Sequence, residues 1–178
     1  MCGGKGERLN AGEKPLFKVC GFRLVDHALR ALSSYEVIAV TSPYTPKTEE
    51  YLKKLGVRVF RASGKGFIED FSEAIRSLSL RGPILIVCSD LVYLRDGVVD
   101  EIVSYYNKCG KKALKAVKDG EAIGINIISA EEEGKQEEES YIVEDVLNIN
   151  TPEDVKKAET IWNTMKKDEG LQKDCAKS

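Results

Sequence analysis

Between residues 37 and 109 the apolar positions form short β-branched runs separated by longer stretches with helical spacing. Val37-Ile38-Ala39-Val40 reads as a strand, residues 47–55 as a helix closed by Gly56, and Val57-Arg58-Val59-Phe60 as the next strand. The unit then repeats. Residues 66–80 put Phe67, Phe71, Ile75 and Leu78 on one helical stripe, and Ile84-Leu85-Ile86-Val87 forms a strand that ends in Ser89-Asp90. A helix is also expected over residues 24–33, and Asp96 is expected to cap another that runs to Cys109. Strands alternating with amphipathic helices predict an α/β fold, with helices flanking a mixed, mostly parallel sheet.

After Gly110 the pattern changes to three strands, over residues 113–117, 122–129 and 141–148, without long helices between them. The acidic stretch 131–139 reads as a solvated loop. Thr151-Pro152-Glu153-Asp154 opens a last helix, with Thr as N-cap, Pro at the first helical position and an acid at N3. Apolar periodicity fades beyond about Lys167, which gives one domain over residues 1–167 and a frayed tail over 168–178.

The opening breaks the pattern. A glycine-rich loop on such a sheet follows the first strand, yet only Met1 and Cys2 precede Gly3. A strand buried on both faces supplies several apolar side chains, each worth about 1.5–3 kcal/mol. Their sum rivals the stability of a whole domain. The first strand is therefore expected to be largely missing from this sequence, with the true start upstream of Met1.

Composition narrows the partners. The 27 basic and 29 acidic residues give a net charge of -2, without the basic footprint of a nucleic-acid binder. No apolar run approaches the ~18 residues that span a bilayer. The five cysteines are scattered without a Cys-x-x-Cys pair, and His27, the one histidine, lies on the expected first helix as a structural residue. A cytoplasmic protein with reduced thiols is expected, with no nucleic-acid or membrane partner and with a homodimer allowed.

The strongest chemical signal is Gly3-Gly4-Lys5-Gly6-Glu7-Arg8 followed by Glu13-Lys14-Pro15-Leu16. Glycines let backbone N–H groups approach a polyphosphate, and the cations supply countercharge. The spacing is neither Walker A nor the dinucleotide-binding Gly-x-Gly-x-x-Gly. Asp90, at the carboxyl end of a strand, can anchor a divalent cation or cap a turn. Asn148 and Asn150 share a strand face and can add an oxygen ligand, touch phosphate, or simply form the turn before the last helix. Ser63-Gly64-Lys65-Gly66 can hold an anion or the edge of a base at a helix N-terminus, or serve as a tight connection.

Taken in order, the Gly-Gly-x-Gly-x-Arg opening, Lys14-Pro15-Leu16, Ser89-Asp90 and the segment 148–154 make the chain resemble the nucleotidyltransferases of the sugar-phosphate and cofactor guanylyltransferase type. Residues 41–48, Ser63 to Asp70 and Gly124-Ile125-Asn126 look like the archaeal-type GTP:adenosylcobinamide-phosphate guanylyltransferases, a likeness running from Gly3 to about Ala158. It departs at Cys2, where alanine is usual, and at Glu7, where a small hydroxyl residue is frequent. The resemblance implies a Rossmann-like nucleotidyltransferase fold, with GTP and a phosphorylated corrinoid as substrates and Mg²⁺ as cofactor. GMP would pass to adenosylcobinamide phosphate and pyrophosphate would leave, a step of cobalamin assembly. In this reading the loop of Gly3, Gly4, Lys5 and Gly6, with Arg8 and Lys14, holds the triphosphate. Asp90, Asn148 and Asn150 face the metal, Ser63, Gly64, Lys65 and Gly66 take guanine and ribose, and Asp70 accepts from guanine unless it is a surface acid. Rival readings are a molybdopterin or sugar-phosphate acceptor, and a non-catalytic nucleotide-binding regulator.

Overall fold

A computed structural model describes residues 1–4, 9, 12–131, 134 and 136–175, with side chains described as far as residue 167. A 3₁₀ turn over Lys14–Leu16 leads into a hairpin of β1 (Lys18–Val19) and β2 (Phe22–Arg23). The hairpin was not anticipated from patterning, because each strand is only two residues long. Its turn residues Cys20 and Gly21 have φ of 54° and 85°, the positive values that a two-residue hairpin demands. Next come α1 (Leu24–Ala31), β3 (Ile38–Thr41), α2 (Pro46–Lys54) and β4 (Arg58–Arg61), with β3 and β4 parallel from Ile38 opposite Arg58 to Thr41 opposite Arg61. α3 (Phe67–Ser77), β5 (Pro83–Val87), a three-residue β6 (Leu91–Tyr93) and α4 (Val98–Cys109) follow. The chain ends with β7 (Ala113–Lys118), β8 (Glu121–Ser129), β9 (Glu138–Ile142), β10 (Val146–Asn148) and α5 (Pro152–Cys175).

The α/β architecture is mixed, as expected, but less parallel than the patterning suggested. Among the described pairs, β3–β4 and β7–β9 are parallel, whereas β1–β2, β6–β10, β5–β8 and β7–β8 are antiparallel. The cause is local. Asp119 and Gly120 take φ of 51° and 81° and fold β7 directly back onto β8, so no helical crossover intervenes. β8 then lies between β5 and β7 in the order β5-β8-β7-β9.

Three further expectations shift. Residues 141–148 form two strands, because β9 pairs with β7 while β10 turns away to pair with β6. Asp96 does not cap α4: Gly97, at φ 80°, occupies the N-cap position without a side-chain bond, and Asp96 pairs with Arg30 at 3.2 Å. α5 continues to Cys175, past the end expected near Lys167.

Met1 and Cys2 sit between β3 and β5. The Cys2 amide donates to Val40 O at 2.8 Å, the Met1 ammonium donates to Val87 O at 2.6 Å, and the Ser89 amide donates to Met1 O at 3.1 Å. These bonds deliver Gly3 to the carboxyl ends of both strands. No strand is described between β3 and β5, and a cavity of about 540 Å³ lies there, walled by Ile38, Val40, Ile84 and Ile86 among others.

The main core packs Ile102 of α4 against Leu91, Leu114 and Ile125, each at zero exposure. Each such side chain stabilises the fold by about 1.5–3 kcal/mol. A second core joins Ala158 of α5 to Val19, Leu24, Val92, Leu147 and Ile149, which ties the hairpin and α5 to the β6–β10 pair.

His27 borders the second core at 6% exposure. Its Nε2–H donates to Val19 O at 3.0 Å, and its ring meets Phe22 and Trp162 edge-on at centroid distances of 5.7 and 5.8 Å. Burial pushes its pKa below the usual 6.5, outweighing the Val19 hydrogen bond and Asp26, which act upward. The unfolded chain therefore takes up this proton at a higher pH than the folded one. Stability is insensitive to His27 well above 6.5 and declines as pH falls from 6.5 toward the lowered folded value. Urea midpoints measured across that window should fall for the native chain and fall less steeply for His27→Gln; equal slopes would refute this assignment.

Candidate active site

Lys14 reaches its position because residues on both sides of it are pinned. Pro15 is buried at the start of the 3₁₀ turn. On the other side the Glu13 carboxylate accepts from the Lys47 amide at 2.8 Å, the Thr48 amide at 2.6 Å and the Thr48 hydroxyl at 2.7 Å. It thereby caps the first turn of α2, whose amides have no partner within the helix and whose dipole favours an anion.

From this anchored turn the Lys14 ammonium donates to Asp90 Oδ2 at 2.7 Å and to Asn150 Oδ1 at 2.8 Å. The Lys14 and Asp90 side chains are 16% and 25% exposed. Charge-assisted hydrogen bonds of this kind contribute about 1.5–3 kcal/mol. Asp90 follows β5 and is tied to the last loop by the Ile149 amide, which donates to Asp90 O at 2.9 Å. Asn150 is fixed by the start of α5. The Asn150 and Thr151 amides both donate to Asp154 Oδ2 at 2.8 Å, and the Asp154 amide donates to Thr151 Oγ1 at 3.2 Å. Burial alone would raise the Asp154 carboxyl, but these bonds and nearby Lys14 hold it below the usual range.

Two acceptors beside this bridge have no donor: Asp90 Oδ1 and Asn148 Oδ1 are both buried and unpartnered. Leaving a buried acceptor unsatisfied costs about 1–3 kcal/mol, and such groups mark places where an ion or ligand completes the set. One carboxylate with neighbouring amide oxygens suits a hard cation that takes its other ligands from substrate phosphates and water. Among the described residues no group of three or more His, Cys, Asp or Glu forms a dedicated cage.

The glycine loop begins beside this cluster. A Cβ on Gly3 would lie 3.2 Å from Ser42 Cβ and 3.3 Å from Asp70 Oδ2, while one on Gly4 would meet nothing within 4 Å. The Ser42 hydroxyl donates to Gly3 O at 2.8 Å and fixes the backbone at Gly3. Lys5, Gly6 and Arg8 lie outside the described residues.

The Ser63–Gly66 segment is braced from α3. Asp70, only 4% exposed, accepts the Gly64 amide at 2.8 Å and the Lys65 amide at 3.2 Å through Oδ1, and the Ser63 amide donates to Glu73 Oε2 at 2.9 Å. Asp70 is thus no surface acid. Its Oδ1 is committed to the loop, and the oxygen left is Oδ2, beside Gly3. Gly64 is required here, since its φ is 76° and a Cβ would lie 3.0 Å from Tyr44 Cε2.

Gly3, Gly4, Lys14, Asp90, Gly64, Gly66 and Asp70 line one cleft of about 310 Å³. Ser63, Lys65, Asn148 and Asn150 are not among its lining residues, though Asn150 touches it through Lys14. Cys88 also borders the cleft, where burial, and next Asp90, push its thiol up to about 11. It is a neutral thiol near pH 7, not a nucleophile. Glu13 and Ser42 lie in segments quoted from the sequence, but neither was given a role. The contacts that define those roles, Ser42 with Gly3 and Glu13 with Lys47 and Thr48, span 34 or more residues, so no local spacing betrays them.

An α/β sheet with a glycine loop, a lysine and a strand-end aspartate around one cleft defines a class, and residues 1–139 match the MobA-like NTP transferase domain family. The chain belongs to that family and is a nucleotidyltransferase. It is 36% identical over 195 aligned residues to adenosylcobinamide-phosphate guanylyltransferase of Methanocaldococcus jannaschii, with 94% of this chain and 96% of the relative covered. Solved structures share the fold. Molybdopterin-guanine dinucleotide biosynthesis protein A from Archaeoglobus fulgidus superposes with TM-score 0.68 at 21% identity, over 92% of this chain and 96% of that one. CMP:2-keto-3-deoxy-manno-octonic acid synthetase, solved with CTP, gives 0.69 at 11% identity, over 89% and 94%. No described helix is long and apolar enough to cross a membrane.

Glu13→Ala should lower stability by about 1–2 kcal/mol, the cost of losing a helix cap, with Glu13→Gln falling between it and the native chain. Denaturant midpoints measure this, and an unchanged midpoint for the alanine variant would refute the clamp.

Proposed function

We propose that the protein transfers GMP from GTP to adenosylcobinamide phosphate, giving adenosylcobinamide-GDP and pyrophosphate. The observation that carries this reading is the Lys14 ammonium held between Asp90 and Asn150 at the foot of the Gly3-Gly4 loop. The substrate pair is supported by the 36%-identical relative, whose name specifies that transfer.

In the step itself an oxygen of the acceptor phosphate forms a bond to the α-phosphorus of GTP. The bond from that phosphorus to the bridging oxygen breaks, and its electron pair leaves with pyrophosphate. No protein nucleophile is needed, in keeping with the neutral thiol of Cys88. The protein's tasks are to position the phosphates and stabilise charge. Amides of the loop from Gly3 to Gly6, with Lys5 and Arg8, cradle the triphosphate in this assignment. Lys14 follows the charge that builds on the leaving pyrophosphate. Asp90 Oδ1, with Asn148 and Asn150 next to it, fits Mg²⁺, which when bound neutralises phosphate charge and polarises the α-phosphorus. Ser63, Gly64, Lys65 and Gly66 border the guanine and ribose end, where Asp70 offers Oδ2 and braces the loop. We place the reaction in the cytoplasm, where GTP is supplied and where Cys2, Cys20, Cys88 and Cys109 stay as the free thiols seen in the structure.

Incubation with GTP, Mg²⁺ and adenosylcobinamide phosphate should yield a corrinoid whose mass has increased by one GMP, together with pyrophosphate. Lys14→Ala and Asp90→Ala should each reduce turnover by roughly 10²–10³-fold while retaining the native circular dichroism spectrum. Near-native turnover in either variant contradicts the role given to that residue. Reaction with a molybdopterin or a sugar phosphate, and none with the corrinoid, would overturn the acceptor and leave the class standing.

A further inference from the structure

The cleft has an aromatic rim that no role above uses. Tyr44 and Phe67 are 47% and 42% exposed, although aromatic side chains of this size are usually well buried. Phe67 was expected on the helical stripe of α3 with Phe71, and the two ring centroids lie 6.3 Å apart. As the first residue of that helix, directly after Gly66, Phe67 also lines the cleft. Tyr44 lines the same cleft from the β3–α2 connection. Tyr44 is held by the segment that holds the glycine loop. The Tyr44 amide donates at 3.2 Å to Ser42 Oγ, the atom that itself donates to Gly3 O. The Tyr44 ring lies close against Gly64, where a Cβ would come within 3.0 Å of it. Gly64 brings no side chain of its own, so the Tyr44 ring meets bare backbone there, while the Glu69 carboxylate lies against Gly66.

The cleft is therefore chemically divided. Lys14 and Asp90 form a charged part, suited to a phosphate chain, and Tyr44 and Phe67 form an apolar part with exposed ring surface. A nucleotide has the same division between its triphosphate and its planar base. We infer that Tyr44 and Phe67 take the purine base of the bound nucleotide against their rings. Ring contact is indifferent to hydrogen-bond pattern, so it supplies affinity, while the amides of 64–66 and Asp70 Oδ2 remain to read the base edge. The inference rests on the proposed nucleotide site and names residues it leaves unassigned.

Calorimetric titration of the native chain, Tyr44→Ala, Phe67→Ala and Tyr44→Phe with GTP and with inorganic tripolyphosphate, both with Mg²⁺, tests it. Each alanine variant should weaken GTP binding by roughly tenfold and leave tripolyphosphate binding at the native value, and Tyr44→Phe should bind GTP as the native chain does. Native GTP affinity in both alanine variants overturns the inference. So does an equal loss for GTP and tripolyphosphate, the result of a disturbed loop rather than a lost base contact. A native chain that binds neither ligand overturns the nucleotide site itself, an outcome distinct from these.

Discussion

The site depends on one ammonium group. Lys14 joins three parts of the chain that are distant in sequence: the turn after the glycine loop, the carboxyl end of β5 through Asp90, and the loop before α5 through Asn150. A lysine side chain is flexible and ordinarily spends its rotamer freedom in water. Here Glu13 clamps its backbone to α2, and Asp90 and Asn150 hold its tip, so the cation is ordered before any substrate arrives. Positioning of this kind lowers the reorganisation required in the transition state.

The surrounding structure serves that arrangement. Met1 and Cys2 bond to Val40, Val87 and Ser89, which sets Gly3 at the strand ends. Ser42 binds Gly3 on one side and Tyr44 on the other, and Asp70 braces the Ser63–Gly66 segment against the same wall. Asp154 plays the matching part at the far end by accepting both the Asn150 and Thr151 amides. Carboxylates thus act mostly as brackets for backbone. Asp90 differs, since its Oδ2 holds the Lys14 ammonium and its Oδ1 is buried without a partner.

Sequence patterning revealed much of this and missed the rest for identifiable reasons. The helix–strand alternation from Ile38 to Cys109 was legible because each element carries its own apolar period. The start of α5 was legible because Thr151 and Asp154 lie within one turn of each other. β6 and the hairpin of β1 and β2 were not, since two or three residues cannot display a period. The change of sheet between β9 and β10 depends on partners far along the chain. At the site, Lys14 and Asp90 stood out by residue type and context. Their meeting, and the bracket roles of Glu13 and Ser42, arise from contacts between distant segments. Asp70 illustrates the opposite case: its residue type suggested base recognition, and burial shows that half of its carboxylate is occupied by the loop it supports.

The most direct test of the central claim is a crystal structure of the native chain with GTP and Mg²⁺. The account predicts the triphosphate within hydrogen-bond distance of the Gly3 and Gly4 amides and of Lys14 Nζ, with a metal ion on Asp90 Oδ1. A triphosphate bound away from that loop, with the contacts of Lys14 to Asp90 and Asn150 undisturbed and no ion at Asp90, would contradict it.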